Sequence, residues 1–370
     1  MAFALPPAPA TELGRYRILS STAGVRVSPL ALGAMSIGNA WSDMMGAMDE
    51  EQSVKLLDAY ADAGGNFIDT ANNYQNEESE IYLGSWMQAR KNRDLMFVAT
   101  KYTNDFRGWE ANKGKTVNYA GNHKKSLRLS VEASLQKLQT DYIDLLYVHW
   151  WDWSTSIEEL MDSLHHLVEQ GKVLYLGISD TPAWVVAAAN TYAKDHGKTQ
   201  FSVYQGRWSV MSRDFERDII PMARQFGMAL CPWNVLGGGQ LRTKTQLETR
   251  QASEPSGRGS RQSDEARRIS AELEKIAAKH GDASIQQIAL AYVIHKAPRV
   301  FPIIGGRKVE HLHDNIRALS ICLSDDDIKS IENLSSFDIG FPLNFIGDDP
   351  RFGETPAILQ SLRGAQIAWK

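Results

Sequence analysis

Cysteine is scarce: the 370 residues include only Cys231 and Cys322. Two thiols argue against a disulfide framework and against a thiolate metal site, and no metal is expected. Long apolar runs are missing as well, since none approaches the roughly 18 residues of a membrane span. Basic clusters never exceed a few residues and the net charge is -4, so neither nucleic acid nor an anionic membrane is expected as a partner. The stretch from Met1 to Thr11 is rich in Pro and Ala, with no basic start and no long apolar run. It does not read as a secretory signal, and a cytoplasmic location is the expectation. A glycine-rich nucleotide turn is also absent after the first strand. That turn reads Gly33-Ala34-Met35-Ser36-Ile37-Gly38, which does not match the dinucleotide fingerprint.

The chain does have a strand–helix rhythm. Residues 1–13 read as a flexible lead, and 16–19 and 25–27 alternate in polarity around a turn, a hairpin signal. Short apolar strands are expected at 30–35, 66–71, 95–100, 143–149, 173–179, 201–205, 228–233 and 300–304. Helical patterns separate them at 50–63, 77–89, 124–138 and 157–170, then after Pro182, which suits a first helical residue. Further helices are expected at 264–280, 284–295, 309–319 and 325–334. The loop 102–121 reads as a surface excursion, and the polar tract 243–263 as mobile. Continuous apolar strands are buried on both faces, the mark of a parallel sheet. Eight such units suit a closed (β/α)8 TIM barrel with an N-terminal β-hairpin and a C-terminal helical extension. The expected division is a lead 1–13, a barrel 14–335 and an extension 336–370. A doubly wound open sheet is the rival, weakened by the missing glycine turn.

In such a barrel the active site lies at the C-terminal ends of the strands. Asp69, Lys101 and His149 end the second, third and fourth strands, and Tyr74 follows the second by one short loop. Singly each has a plain structural explanation: a cap, a surface charge, a core histidine, a loop packer. Four on consecutive strands form a constellation. A phenol with a pKa of roughly 10 needs help to give and take protons at neutral pH. A nearby ammonium would favour the phenolate by about 1–3 units, with Asp69 holding Lys101 charged. His149 would hydrogen-bond the same carbonyl oxygen. No group here supplies a reductant, so a hydride carrier is required.

Asp69, Tyr74, Lys101 and His149, in the settings Ile-Asp-Thr-Ala-Asn-Asn-Tyr, Ala-Thr-Lys and Tyr-Val-His-Trp, resemble the catalytic tetrad of the aldo-keto reductase family. Gly-Asn-His-Lys-Lys-Ser, Leu-Gln-Thr-Asp-Tyr-Ile-Asp and Asp-Thr-Pro-Ala-Trp-Val-Val resemble its fungal branch of aryl-alcohol dehydrogenases and norsolorinic acid reductase-like proteins. The resemblance spans about residues 15–335 and implies NADPH/NADP held across the barrel mouth without a Rossmann domain. By motif, it implies nicotinamide contacts from Asp69, Ser179, Asp180 and Gln205, with Trp233 stacking on the ring. Asn234, Leu236, Gly237 and Gly238 would cover the pyrophosphate, and Lys244 ends that loop. Gly305, Gly306, Arg307, Lys308, His311 and Asn315 resemble the adenosine-phosphate segment, where Arg307 and Lys308 suit a 2′-phosphate and Asn315 adenine. His311 and Asp180 stand where relatives often carry other residues.

His149, Trp150 and Trp41 are the expected substrate contacts, because aromatic walls favour flat aromatic substrates. Trp151 and Trp153 read equally well as loop packing. The implied reaction is reversible reduction of aryl aldehydes to alcohols. A ketone substrate in polyketide metabolism and a slow-turnover NADPH-binding regulatory subunit are alternatives. Monomer or homo-oligomer is left open by the sequence.

Overall fold

Strand β1 (Arg17–Ser20) pairs antiparallel with β2 (Ala23–Val27), the expected hairpin. Eight parallel strands follow: β3 (Ala31–Gly33), β4 (Phe67–Asp69), β5 (Phe97–Tyr102), β6 (Ile143–Val148), β7 (Val173–Ser179), β8 (Phe201–Arg207), β9 (Ala229–Trp233) and β10 (Ile303–Ile304). They pair in the order β10-β3-β4-β5-β6-β7-β8-β9. A parallel bridge between Leu230 and Val300 joins the two ends. There the Leu230 N–H donates to Arg299 O at 2.9 Å and the Phe301 N–H donates to Leu230 O at 2.8 Å. The result is a (β/α)8 barrel. This computed structural model describes residues 7–110, 114–253, 262–281, 283–334, 337–347, 349–352 and 358. Part of the expected lead, most of the C-terminal tail and positions 254–261 of the polar tract lie outside the described residues.

Successive side chains on a strand point to opposite faces, so every barrel strand feeds two cores. Phe67, Phe97, Leu145, Tyr147, Val203, Ala229 and Phe301 point inward and cluster with Leu19, Ala23 and Val27 of the hairpin. The hairpin therefore plugs the N-terminal end of the barrel. Ile68, Val98, Leu146, Val148, Leu176 and Ile178 point outward against the helices. Each fully buried Phe or Leu contributes roughly 1.5–3 kcal/mol relative to exposure. Gly177 of β7 has a packing reason, since a Cβ there would lie 2.5 Å from the Tyr147 ring.

Helices Glu50–Asp62, Glu78–Arg90, Lys124–Lys137, Ile157–Glu169, Ala183–Asp195 and Ile219–Phe226 lie between successive barrel strands from β3 to β9. Asp49, Ser156, Ser263, Ser284 and Ser324 cap the helices that follow them by accepting a backbone N–H, each worth about 1 kcal/mol. Two expectations need correcting. Pro182 stands at the N-cap of Ala183–Asp195, one position before the first helical residue. The polar tract is not irregular throughout, because Lys244–Ser253 is a helix. Thr243 and Gln246 exchange side chain–backbone bonds of 3.2 and 3.1 Å, a reciprocal cap that starts that helix. Beyond β10, helices Val309–Arg317 and Asp325–Glu332 continue the chain. Among the described residues no helix is long and apolar enough to cross a membrane.

Candidate active site

Inward-facing Phe67 and Phe97 set the phase of β4 and β5. Two residues on, Asp69 points inward, and so does Lys101 four residues after Phe97. The register pairs Asp69 with Ala99, which leaves Lys101 standing one inward position higher. Both side chains are buried. The Lys101 ammonium donates to Asp69 Oδ1 at 2.5 Å, to Thr70 O at 2.8 Å and toward Tyr74 Oη at 3.5 Å. Asp69 Oδ2 accepts from the Gln205 amide at 2.8 Å. Tyr74 is held over the ammonium by a left-handed run at Gln75, Asn76 and Glu77 (φ 51°, 51° and 81°). Gln75 secures that run: it accepts the Trp41 N–H at 2.7 Å and donates to Met35 O at 2.9 Å. His149 sits just past β6, its ring edge-on to Tyr74 with centroids 5.9 Å apart. The four side chains expected to meet are therefore together.

Their protonation follows from burial and neighbours. Burial works against the Lys101 ammonium, but Asp69 and Tyr74 outweigh it and raise its pKa. Burial also raises the Tyr74 phenol; Lys101 opposes this, and Asp69 adds to it. That corrects the expectation of a lowered phenol. Asp69 neutralises much of the ammonium's field, and desolvation wins. Burial and then Lys101 push His149 down to about 3, so its imidazole is neutral. The arrangement offers a carbonyl oxygen one protonated phenol and one neutral imidazole.

The residues expected to hold the cofactor stand at or near the ends of β7, β8, β9 and β10. Ser179 Oγ ends β7 buried beside Asp180 and makes no well-formed hydrogen bond among the described residues, which suits a polar group of a ligand in the mouth. The Gln205 amide nitrogen is committed to Asp69. The half-buried Trp233 donates its indole N–H to Asp180 Oδ1 at 3.3 Å, which fixes the ring at the end of β9. Asn234, Leu236, Gly237 and Gly238 form the tight turn after it, and Gly237 (φ 60°) leaves room for the Met211 sulfur. Gly305, Gly306, Lys308 and Asn315 line a recess beside β10. The helix Val309–Arg317 opens there without a side-chain cap, so its first N–H groups are available to an anion. These features fit an anionic group.

Other placements differ from simple expectation. Arg307 packs beneath Gly46 and donates to Ala47 O at 3.4 Å, tying the segment after β10 to the loop after β3. Burial and Lys308 lower the pKa of His311, and Arg242 adds to this effect. In the sequence Arg242 is one more arginine at the edge of a polar tract, with nothing to mark its approach to His311. Lys244 is exposed, the first residue of its helix. The Trp41 indole donates to Asn76 Oδ1 at 2.9 Å, and its ring lies 6.2 Å from that of Tyr74. Trp151 is buried packing, whereas Trp153 is exposed beside Trp184. Trp150 donates to Asn104 Oδ1 at 3.1 Å, so its indole nitrogen is engaged by protein. Asn104 is unmarked in the sequence too, because it lies in a loop read as a surface excursion.

The comparisons with known proteins agree with this geometry. Residues 29–336 match the model of the aldo/keto reductase family. A Saccharomyces cerevisiae protein named as a candidate aryl-alcohol dehydrogenase is 59% identical over 367 residues, covering 98% of this chain and 97% of its own. Norsolorinic acid reductase of Aspergillus flavus is 53% identical over 350 residues, with 95% and 88% covered. Aryl-alcohol dehydrogenase [NADP(+)] of Phanerodontia chrysosporium is 52% identical over 352 residues, with 92% and 91% covered. With a family match over most of its length and a barrel that assembles the tetrad, the chain belongs to the aldo/keto reductase family.

Proposed function

We propose that the protein is an NADPH-dependent reductase of aryl aldehydes, reversible to the oxidation of aryl alcohols. The observation that carries this reading is the buried Lys101–Asp69 pair with the Tyr74 hydroxyl 3.5 Å from the ammonium. Bound NADPH supplies the hydride. Asp180, Ser179, Gln205 and Trp233 hold its nicotinamide end. Asn234, Leu236, Gly237, Gly238 and Lys244 cover the pyrophosphate, and Gly305, Gly306, Arg307, Lys308, His311 and Asn315 grip the adenosine phosphate.

His149 donates to the substrate carbonyl oxygen and aims it at Tyr74. As the carbonyl carbon gains hydride, its oxygen takes the proton of Tyr74, and Lys101 steadies the phenolate left behind. Water returns a proton to Tyr74. In the oxidising direction Tyr74 takes the alcohol proton back. General acid help of this kind is worth roughly 10²–10⁴-fold, or about 3–5.5 kcal/mol of barrier. Trp41 and Trp150 flank the mouth and favour flat aromatic substrates.

The reading places the barrel in residues 14–335, with a lead 1–13 and an extension 336–370, and puts the enzyme in the cytoplasm. A relative named norsolorinic acid reductase, at 53% identity, supports a second reading in which the substrate is a polyketide ketone. The test is to mix protein, NADPH and aromatic aldehydes such as veratraldehyde, alongside aryl ketones. Loss of reduced-nicotinamide absorbance with the aldehydes supports the main reading, and loss with ketones alone supports the second. No turnover across the panel defeats both.

A further inference from the structure

His149 can bind a carbonyl oxygen only through a nitrogen that carries a proton, and a neutral imidazole has just one. Which nitrogen holds it depends on what the other is bonded to. His149 Nδ1 lies 3.0 Å from the side-chain amide nitrogen of Asn104. An amide can be read in two orientations, so this contact alone does not decide the matter. Trp150 does. Its indole nitrogen lies 3.1 Å from the other end of the Asn104 amide. An indole N–H is a donor and never an acceptor, so that end of Asn104 is its oxygen. The end facing His149 is then the NH₂ group, and Nδ1 must accept. The imidazole proton is left on Nε2. Asn104 is also anchored through its backbone, whose carbonyl accepts from Asn72 Nδ2 at 3.3 Å. His149 itself is tied to β5 by its N–H donating to Tyr102 O at 3.1 Å.

We propose that Asn104 is a positioning residue: locked by the Trp150 indole, it fixes His149 as the Nε2–H tautomer that donates to the substrate oxygen. This rests on the reading of His149 as the carbonyl-binding group. It also gives Trp150 a second duty beyond flanking the substrate. Asn104→Asp keeps the size but reverses the demand, because a carboxylate accepts and draws the proton to Nδ1. Trp150→Phe keeps an aromatic ring but removes the lock, leaving the amide orientation of Asn104 to its long 3.4 Å donation to Asn73 Oδ1 alone.

The test is long-range ¹H–¹⁵N correlation on histidine-labelled protein, which reports the tautomer of His149 without any turnover, together with steady-state kinetics. The wild type is expected to show a protonated Nε2 and a bare Nδ1. Asn104→Asp is expected to move the proton to Nδ1. Its kcat should fall roughly 10²-fold, as for losing one donor to a developing oxyanion, with NADPH affinity kept. Trp150→Phe is expected to give a mixture of tautomers and a smaller fall. A wild-type Nδ1–H signal, or an Asn104→Asp protein with the wild-type tautomer, overturns the proposal. A wild type with the expected tautomer but no turnover on any carbonyl leaves Asn104 in its role and removes the reductase reading instead.

Discussion

Gln205 and Asp69, 136 residues apart in the chain, meet inside the barrel, where the Gln205 amide donates to Asp69 Oδ2 at 2.8 Å. The other carboxylate oxygen belongs to Lys101. A buried carboxylate is tolerable only when its oxygens are paired, and here one partner is charged and one neutral. Gln205→Leu removes the neutral partner. The expected cost is about 1–3 kcal/mol of stability, the usual penalty for stranding a buried acceptor. Urea denaturation checks it, and an unchanged midpoint would contradict it.

Tyr74→Phe keeps the ring against Trp41 and His149 and removes only the hydroxyl. Turnover is expected to fall roughly 10²–10⁴-fold while cofactor affinity stays the same. Cofactor fluorescence titration and steady-state rates separate the two. A variant that turns over normally would place the proton donor elsewhere.

His149 has a pKa pushed down to about 3 from the ordinary 6.5. Between these values the unfolded chain binds a proton that the folded protein does not, so stability rises with pH through that window. The contribution is fully present above 6.5 and is lost progressively as pH falls toward 3. His149→Asn removes this linkage. Its melting temperature is expected to drop less than the wild type's between neutral pH and about pH 5. Equal drops would show that His149 is not held neutral by the fold.

Lys308 lines the recess beside β10 at the start of an uncapped helix. Lys308→Ala is expected to weaken NADPH binding by roughly tenfold, about 1.4 kcal/mol, and NADH binding far less. Titrating each dinucleotide against wild type and variant reads this directly. Equal losses would assign Lys308 to the pyrophosphate rather than the 2′-phosphate.

The barrel is legible in the sequence because each strand is a short apolar run with turn residues on either side. The tetrad is legible because three of its members stand at or just beyond the ends of consecutive strands. The direction of the Tyr74 shift was not, since it depends on how far Asp69 cancels Lys101, which only distances settle. Asn104 was not legible either. An asparagine in a loop rich in Asn, Lys and Gly carries no mark until Trp150 and His149 are seen on either side of it. The helix Lys244–Ser253 did have a signal, in Thr243 and Gln246 spaced as a reciprocal cap, but its polar composition masked it.

Seven of the eight junctions around the barrel are pairings between named strands; the eighth, from β9 to β10, rests on the single bridge at Leu230 and Val300. The turn after β9 and the glycine segment after β10 stand on either side of that seam. Those are the two segments expected to grasp the pyrophosphate and the adenosine phosphate of one dinucleotide. A ligand spanning them would act as a rivet, so that loading the enzyme and fastening the least-sewn edge of its wall become a single event.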